Sequence, residues 1–153
     1  MTAPVFKSAL IGAIVLVALV FGAWYFLAAP KEQLAMPGSI SGSVGYPSEG
    51  TPAQRVCAVR GAGATPVCVE TQDSPPASNT FTIKNLAPGD YYVYASLIDP
   101  AAYGSDIPST FKAYYNEFVR CGMLYSCKDT TPIVVHVNAG ADTPGIEPND
   151  WYH

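Results

Sequence analysis

Basic residues are scarce in this chain and never form a run: eight Lys and Arg stand against twelve Asp and Glu in 153 residues. From residue 38 onward the balance is six against eleven, a net charge of −5. That argues against nucleic acid or an anionic lipid surface as a partner, because both are held by clustered cations. Histidine occurs only at His136 and His153. G-x-S-x-G, H-E-x-x-H, P-loop and dinucleotide fingerprints are all missing, so no sequence motif announces an enzyme or a nucleotide cofactor. None of the four cysteines sits in a C-x-x-C pair, which leaves a zinc site without its usual spacing. Beyond residue 30 no segment sustains a helical period, and Pro or Gly punctuates the chain every eight to twelve residues.

What is present begins with residues 9–29, twenty-one positions without a charge, a proline or an amide side chain, eleven of them Leu, Ile, Val or Phe. A helix rising about 1.5 Å per residue crosses a bilayer core in that length. Its apolar content favours insertion by roughly 5 kcal/mol. A cleaved signal peptide would need a stronger basic start, a shorter apolar core and a small-x-small site. Here Lys7 is the sole charge ahead of the run, and Phe26 and Leu27 spoil the nearest cleavage sites. The reading is therefore an uncleaved transmembrane anchor over residues 1–30, with Trp24 and Tyr25 at an interface and Pro30 stopping the helix. Residues 31–37 form a linker, and residues 38–153 a single extracytoplasmic domain of modest core. On a helical wheel Ser8, Gly12, Val15, Leu19 and Gly22 share one stripe, where small residues would let a second membrane helix approach.

All four cysteines follow the anchor, as expected of disulfides in a small exported domain, with the N-terminus cytoplasmic. Residues 54–72 read as a hairpin turning at Gly61-Ala62-Gly63-Ala64. Centring the turn between Ala62 and Gly63 sets Cys57 opposite Cys68, within disulfide reach. The same register pairs Arg55 with Glu70 on the cysteine face. It places Val56 with Val69, and Ala58 with Val67, on a buried face. Cys121 and Cys127 are left to close a short loop.

Seven short β-rich runs are expected, over residues 40–46, 55–60, 67–71, 80–84, 91–98, 111–119 and 133–138, in the manner of a β-sandwich. Ile40-x-Gly42-x-Val44 opens the domain. Later comes Phe81-x-Ile83-x-x-Leu86-x-Pro88-Gly89-x-Tyr91-x-Val93-x-Ala95. Over residues 38–99 this resembles the carboxypeptidase regulatory-like, or transthyretin-like, β-sandwich, which is similar to the Cna-B repeats of surface adhesins. The resemblance implies an all-β fold and a non-catalytic appendage. The Lys–Asn isopeptide bond of Cna-B domains has no counterpart here, because no Lys lies between Ile40 and Tyr46. The residues agree with the fold: Phe81, Ile83, Tyr91, Val93, Ala95 and Leu97 alternate inward, and Pro88-Gly89 makes a tight turn.

Candidate chemistry is thin. Ser109-Thr110-Phe111-Lys112 fits S-x-x-K but lacks the helix and partner motifs of that nucleophile, and reads as loop entering a strand. His136 alternates away from Ile133, Val135 and Val137, which suits a surface position. Glu147 and Asp150 read as acids capping a turn rather than as a calcium site. No metal or cofactor is expected. The aromatics are more suggestive. Tyr92 and Tyr94 leave the inward set of their strand, and one of the adjacent pair Tyr114 and Tyr115 must do the same. With Trp151 they are candidates for protein contact or glycan stacking, with ring pairing across the sheet as the structural alternative. The expected function is a non-catalytic accessory or structural subunit of a larger membrane assembly. It would dock through the helix stripe and one sandwich face, with an integral membrane protein as partner. A surface-displayed glycan-binding module is the alternative.

Overall fold

A computed structural model describes residues 36–72, 79–104 and 106–153. The anchor and its stripe of Ser8, Gly12, Val15, Leu19 and Gly22 lie outside the described residues, as does most of the linker. Among the described residues no helix is long and apolar enough to cross a membrane.

The described residues form eight strands: β1 (Gly38–Ser43), β2 (Gln54–Val59), β3 (Val67–Glu70), β4 (Thr80–Leu86), β5 (Gly89–Leu97), β6 (Ala113–Tyr114), β7 (Val135–Val137) and β8 (Asp142–Ile146). A 3₁₀ turn at Pro100–Ala102 and one α-helical turn at Glu117–Arg120 complete the regular structure. One sheet runs β4-β1-β8 and the other β3-β2-β5-β6, with β7 also paired to β5. The chain from residue 36 on is thus all-β and sandwich-like, with two sheets facing across one core.

Alternation builds that core. Ile40, Phe81, Ile83 and Leu86 from the first sheet meet Val56, Ala58, Tyr91, Val93, Ala95 and Leu97 from the second, all buried. The expected inward set of β4 and β5 is buried in full, with Phe81 and Tyr91 at 5% and 4% exposure. Burying one large apolar side chain contributes roughly 1.5–3 kcal/mol, so this row supplies much of the stability.

The turn after β4 is tight, yet β4 and β5 do not pair with each other; they lie in opposite sheets. Pro88-Gly89 therefore carries the chain across the core rather than closing a hairpin. The corner is clamped by Tyr91, whose hydroxyl donates to the Ala87 carbonyl four residues upstream at 2.7 Å. Arg60 donates from Nε to the Tyr91 oxygen at 3.0 Å, and from Nη2 to the carbonyls of Ala87 and Pro88. A tyrosine reaching back over such a corner is a recurrent device of β-sandwiches.

Three expectations need correction. The run at 111–119 yields only the two-residue β6, because Asn116 caps a helical turn by accepting from the Val119 amide at 3.1 Å. Val67, expected inward, is 42% exposed: it lies on β3, an edge strand with only β2 beside it. The strand β8 falls outside all seven expected runs. Its Asp142-Thr143-Pro144-Gly145-Ile146 reads as a turn, yet it pairs in parallel with β1 at the sheet edge. An edge position tolerates the missing amide of Pro144. The ladder also skips a residue, from Ile40 opposite Thr143 to Gly42 opposite Ile146, and the slack is taken up at Gly145 with φ +77°.

Gly42 is required at that junction. A Cβ there would stand 1.7 Å from the Ile146 carbonyl oxygen. Gly42→Ala should therefore force β8 from β1 and cost about 3–5 kcal/mol, or abolish folding, as read by denaturant unfolding of the full chain in detergent micelles. Unchanged stability would overturn the close approach. The start of the same ladder carries a pH dependence. Ser39 donates to Asp142 Oδ1 at 2.6 Å and Ser41 donates to Oδ2. These hydroxyls, Ser39 foremost, hold the carboxyl below the usual carboxylate range. The folded group binds its proton more weakly than the unfolded one. Its stabilisation is present above the ordinary Asp value near 4 and fades as pH falls below it. Parent and Asp142→Asn should differ in unfolding midpoint at neutral pH and converge in acid. A gap that stays constant down to about pH 3 would count against this role.

Candidate functional site

The outer face of the larger sheet carries one continuous row. Cys57 lies opposite Cys68 on one side and Tyr94 on the other, and Tyr94 lies opposite Tyr114 of β6. The hairpin register is the expected one in all four pairs, Arg55 to Glu70 through Ala58 to Val67. The disulfide Cys57–Cys68 joins Cα atoms 4.1 Å apart, and Arg55 meets Glu70 at 2.8 Å on the same face. Cys121 is bonded to Cys127. No cysteine is free.

Next to the first bridge lies an open groove of ≈ 530 Å³. Tyr92, Tyr94 and Tyr114 line it, with Lys112, Thr131 and the prolines Pro66 and Pro132 around them. Its mouth is the hairpin tip, residues 61–64, where the Ala64 amide donates to the Gly61 carbonyl and Gly63 takes φ +82°. Tyr92 is 37% exposed, opposite Val59. Tyr94 is half-buried, its ring 5.8 Å from that of Tyr114 and tilted by 48°. The Lys112 ammonium sits 4.2 Å from the centroid of the Tyr94 ring, a cation–π arrangement that fixes the charge over the groove floor. Of the adjacent tyrosines, Tyr115 packs against the core and Tyr114 turns outward.

Tyr92 and Tyr94 are thus brought together, but Trp151 is not with them. Trp151 is 6% exposed and belongs to the core. It packs edge-on against Tyr46 at 5.2 Å, near Phe111, and donates from Nε1 to the Gly45 carbonyl at 2.7 Å. An indole buried this way has spent both its area and its single donor. A surface role for Trp151 is therefore replaced by a structural one. Beside it a smaller cavity of ≈ 240 Å³ is lined by Tyr46, Met123, Asn149 and Tyr152.

Among the remaining candidates, His136 and Asp150 are engaged in structural bonds. Ser109 and Lys112 lie on a turn and its exit, with no helix beneath them. His136 is exposed and paired with Asp90 at 2.6 Å. Asp150, only 2% exposed, accepts from the Asn116 amide at 2.6 Å and from the Tyr152 backbone, and lies 2.8 Å from His153 Nδ1. It caps a turn, as its sequence context suggests. Asn116, buried at its other end, was not legible as a linchpin. Its only sequence signal is an amide residue three positions ahead of the buried Val119. Lys112 was likewise hidden, since its partner ring is distant in sequence.

No protein-family model, curated protein or solved structure matches the chain. The fold defines a two-sheet, disulfide-braced β protein with an aromatic groove on its outer face.

The contribution of the Cys57–Cys68 bridge should be measurable. Closing about a dozen residues contributes roughly 3 kcal/mol in the chain-entropy account. Cys57→Ala/Cys68→Ala should lose about that much in denaturant titration, and non-reducing peptide mapping of the parent should recover Cys57 with Cys68 and Cys121 with Cys127. Any peptide joining Cys57 to Cys121 or Cys127 would refute the register.

Proposed function

We propose that this protein is a non-catalytic accessory or structural subunit of a membrane assembly, docking another polypeptide through the groove of Tyr92, Tyr94 and Tyr114. The anchor rests on the apolar run at residues 9–29, and the extracytoplasmic placement on the four cysteines that follow it. The transthyretin-like relationship rests on the Gly42 and Leu86-to-Tyr91 segments, whose residues serve the close β1–β8 approach and the corner.

The observation that carries the reading is the groove itself. Three phenol rings gathered on one outward face give contact area at low entropic cost, the chemistry of protein recognition surfaces. Two side chains that could do chemistry are tied into structural pairs, His136 with Asp90 and Asp150 with Asn116.

An aromatic groove also suits a sugar, but two features weigh against it. Lys112 covers the ring of Tyr94, and among the described residues no carboxylate or amide side chain lines the groove to pair with sugar hydroxyls. A glycan module therefore stands second.

The test is gentle detergent extraction of the full chain and identification of the chains that co-purify. Tyr92→Ala/Tyr114→Ala should strip them while the unfolding midpoint stays within a few degrees. Gly12→Leu/Gly22→Leu should weaken the same association through the helix stripe. Unchanged co-purification in both variants would overturn the reading, and saccharide binding lost with Tyr92 would transfer it to the glycan module.

A further inference from the structure

The described side chains lining the groove include one pure hydrogen-bond donor and no pure acceptor. Lys112 is a pure donor, and Tyr92, Tyr94, Tyr114 and Thr131 bring hydroxyls that both donate and accept; no Asp, Glu, Asn or Gln side chain is among the described lining residues. The Tyr91 hydroxyl is committed to the Ala87 carbonyl. By contrast, no hydrogen bond within the described residues engages the hydroxyls of Tyr92, Tyr94 or Tyr114. With Lys112 tilting that balance toward donation, the groove favours a ligand rich in acceptors. Proline-rich chain has that chemistry. Each proline keeps its carbonyl and lacks an N–H, and in the polyproline II helix the carbonyls point outward, unpaired.

Shape and charge agree. The groove lies on the face of the sheet, so a peptide there cannot extend the ladder as an added strand and must bind through side chains. Ridged aromatic surfaces are what polyproline II helices dock onto, at low ordering cost because the helix is already extended. The rings of Tyr92 and Tyr114, walled by Pro66 and Pro132, supply such ridges, beside the Tyr94 ring that Lys112 covers. At the tip, Cβ atoms added to Gly61 or Gly63 would meet nothing within 4 Å, which leaves the mouth open. Among the described lining residues Lys112 is the one that carries a charge, in a domain otherwise of net negative charge.

We propose that the groove binds a proline-rich, polyproline II segment of its partner, with an acidic residue of that segment placed against Lys112. The inference rests on the protein-docking reading above and names the chemistry of the docked chain.

Calorimetric titration of the full chain in detergent micelles with acetyl-Pro-Pro-Glu-Pro-Pro-amide tests it. The peptide should bind. Replacing its prolines by glycine, or its Glu by Lys, should weaken binding. Tyr92→Ala should reduce affinity about tenfold, equivalent to 1.4 kcal/mol. Lys112→Ala should erase the preference for Glu over Lys in the peptide while sparing the preference for proline. Equal binding of the glycine peptide, or indifference to both variants, would overturn the proposal. If the peptide is inert while Tyr92→Ala/Tyr114→Ala still strips the co-purifying chains, the proline-rich ligand fails and the accessory reading survives. If the peptide is inert and the complex is unchanged, both fail.

Discussion

Strand β5 is held on both its faces by a single alternation, and the rest of the domain is arranged around it. Its odd-numbered residues Tyr91, Val93, Ala95 and Leu97 fill the core, so its even-numbered residues Tyr92 and Tyr94 must face out. Its backbone pairs with β2 over residues 92–97, with β6 at 94–95 and with β7 at 89–91. A slip of one residue would drive two phenols into the core and eject four inward residues, a cost no local rearrangement could offset. The outward tyrosine face is therefore a by-product of the packing register. It cannot shift without unfolding the sheet beneath it.

The corner before β5 locks this register. Arg60, at the end of β2, reaches across to Ala87, Pro88 and the Tyr91 hydroxyl. One side chain thus ties the hairpin that forms the mouth of the groove to the turn that launches the floor strand. The Cys57–Cys68 bridge and the Arg55–Glu70 pair fix the same hairpin from its other face. An exposed ion pair of this kind contributes little alone, on the order of 0–1 kcal/mol. Its register information is more useful than its energy.

What the sequence made legible follows from how many independent constraints met at a position. The β2–β3 hairpin was readable because cysteine pairing, charge pairing and apolar pairing demanded one register. The inward face of β4 and β5 was readable because strict alternation runs through both strands. Strand β8 escaped because Pro144 and Gly145 are turn residues everywhere except at an edge beside a glycine, and Gly42 lies about a hundred positions earlier. Trp151 escaped because an aromatic near a chain end looks like surface until a buried acceptor, the Gly45 carbonyl, is known. Lys112 and Asn116 failed for the same reason: each is defined by a partner that only the tertiary fold delivers.

Strand β1 is the first strand of the sandwich and also the middle strand of its sheet, with β4 on one side and β8 on the other. Tension applied along the chain at Met36 would therefore not peel an edge open bond by bond. It would load two ladders in shear together, because hydrogen bonds between strands lie across the direction of pull. Ser39, bonded to the Ala141 carbonyl and to Asp142, stands at the point where that load enters. A domain threaded in this way resists being drawn out by its own N-terminal lead, a mechanical property separate from its equilibrium stability.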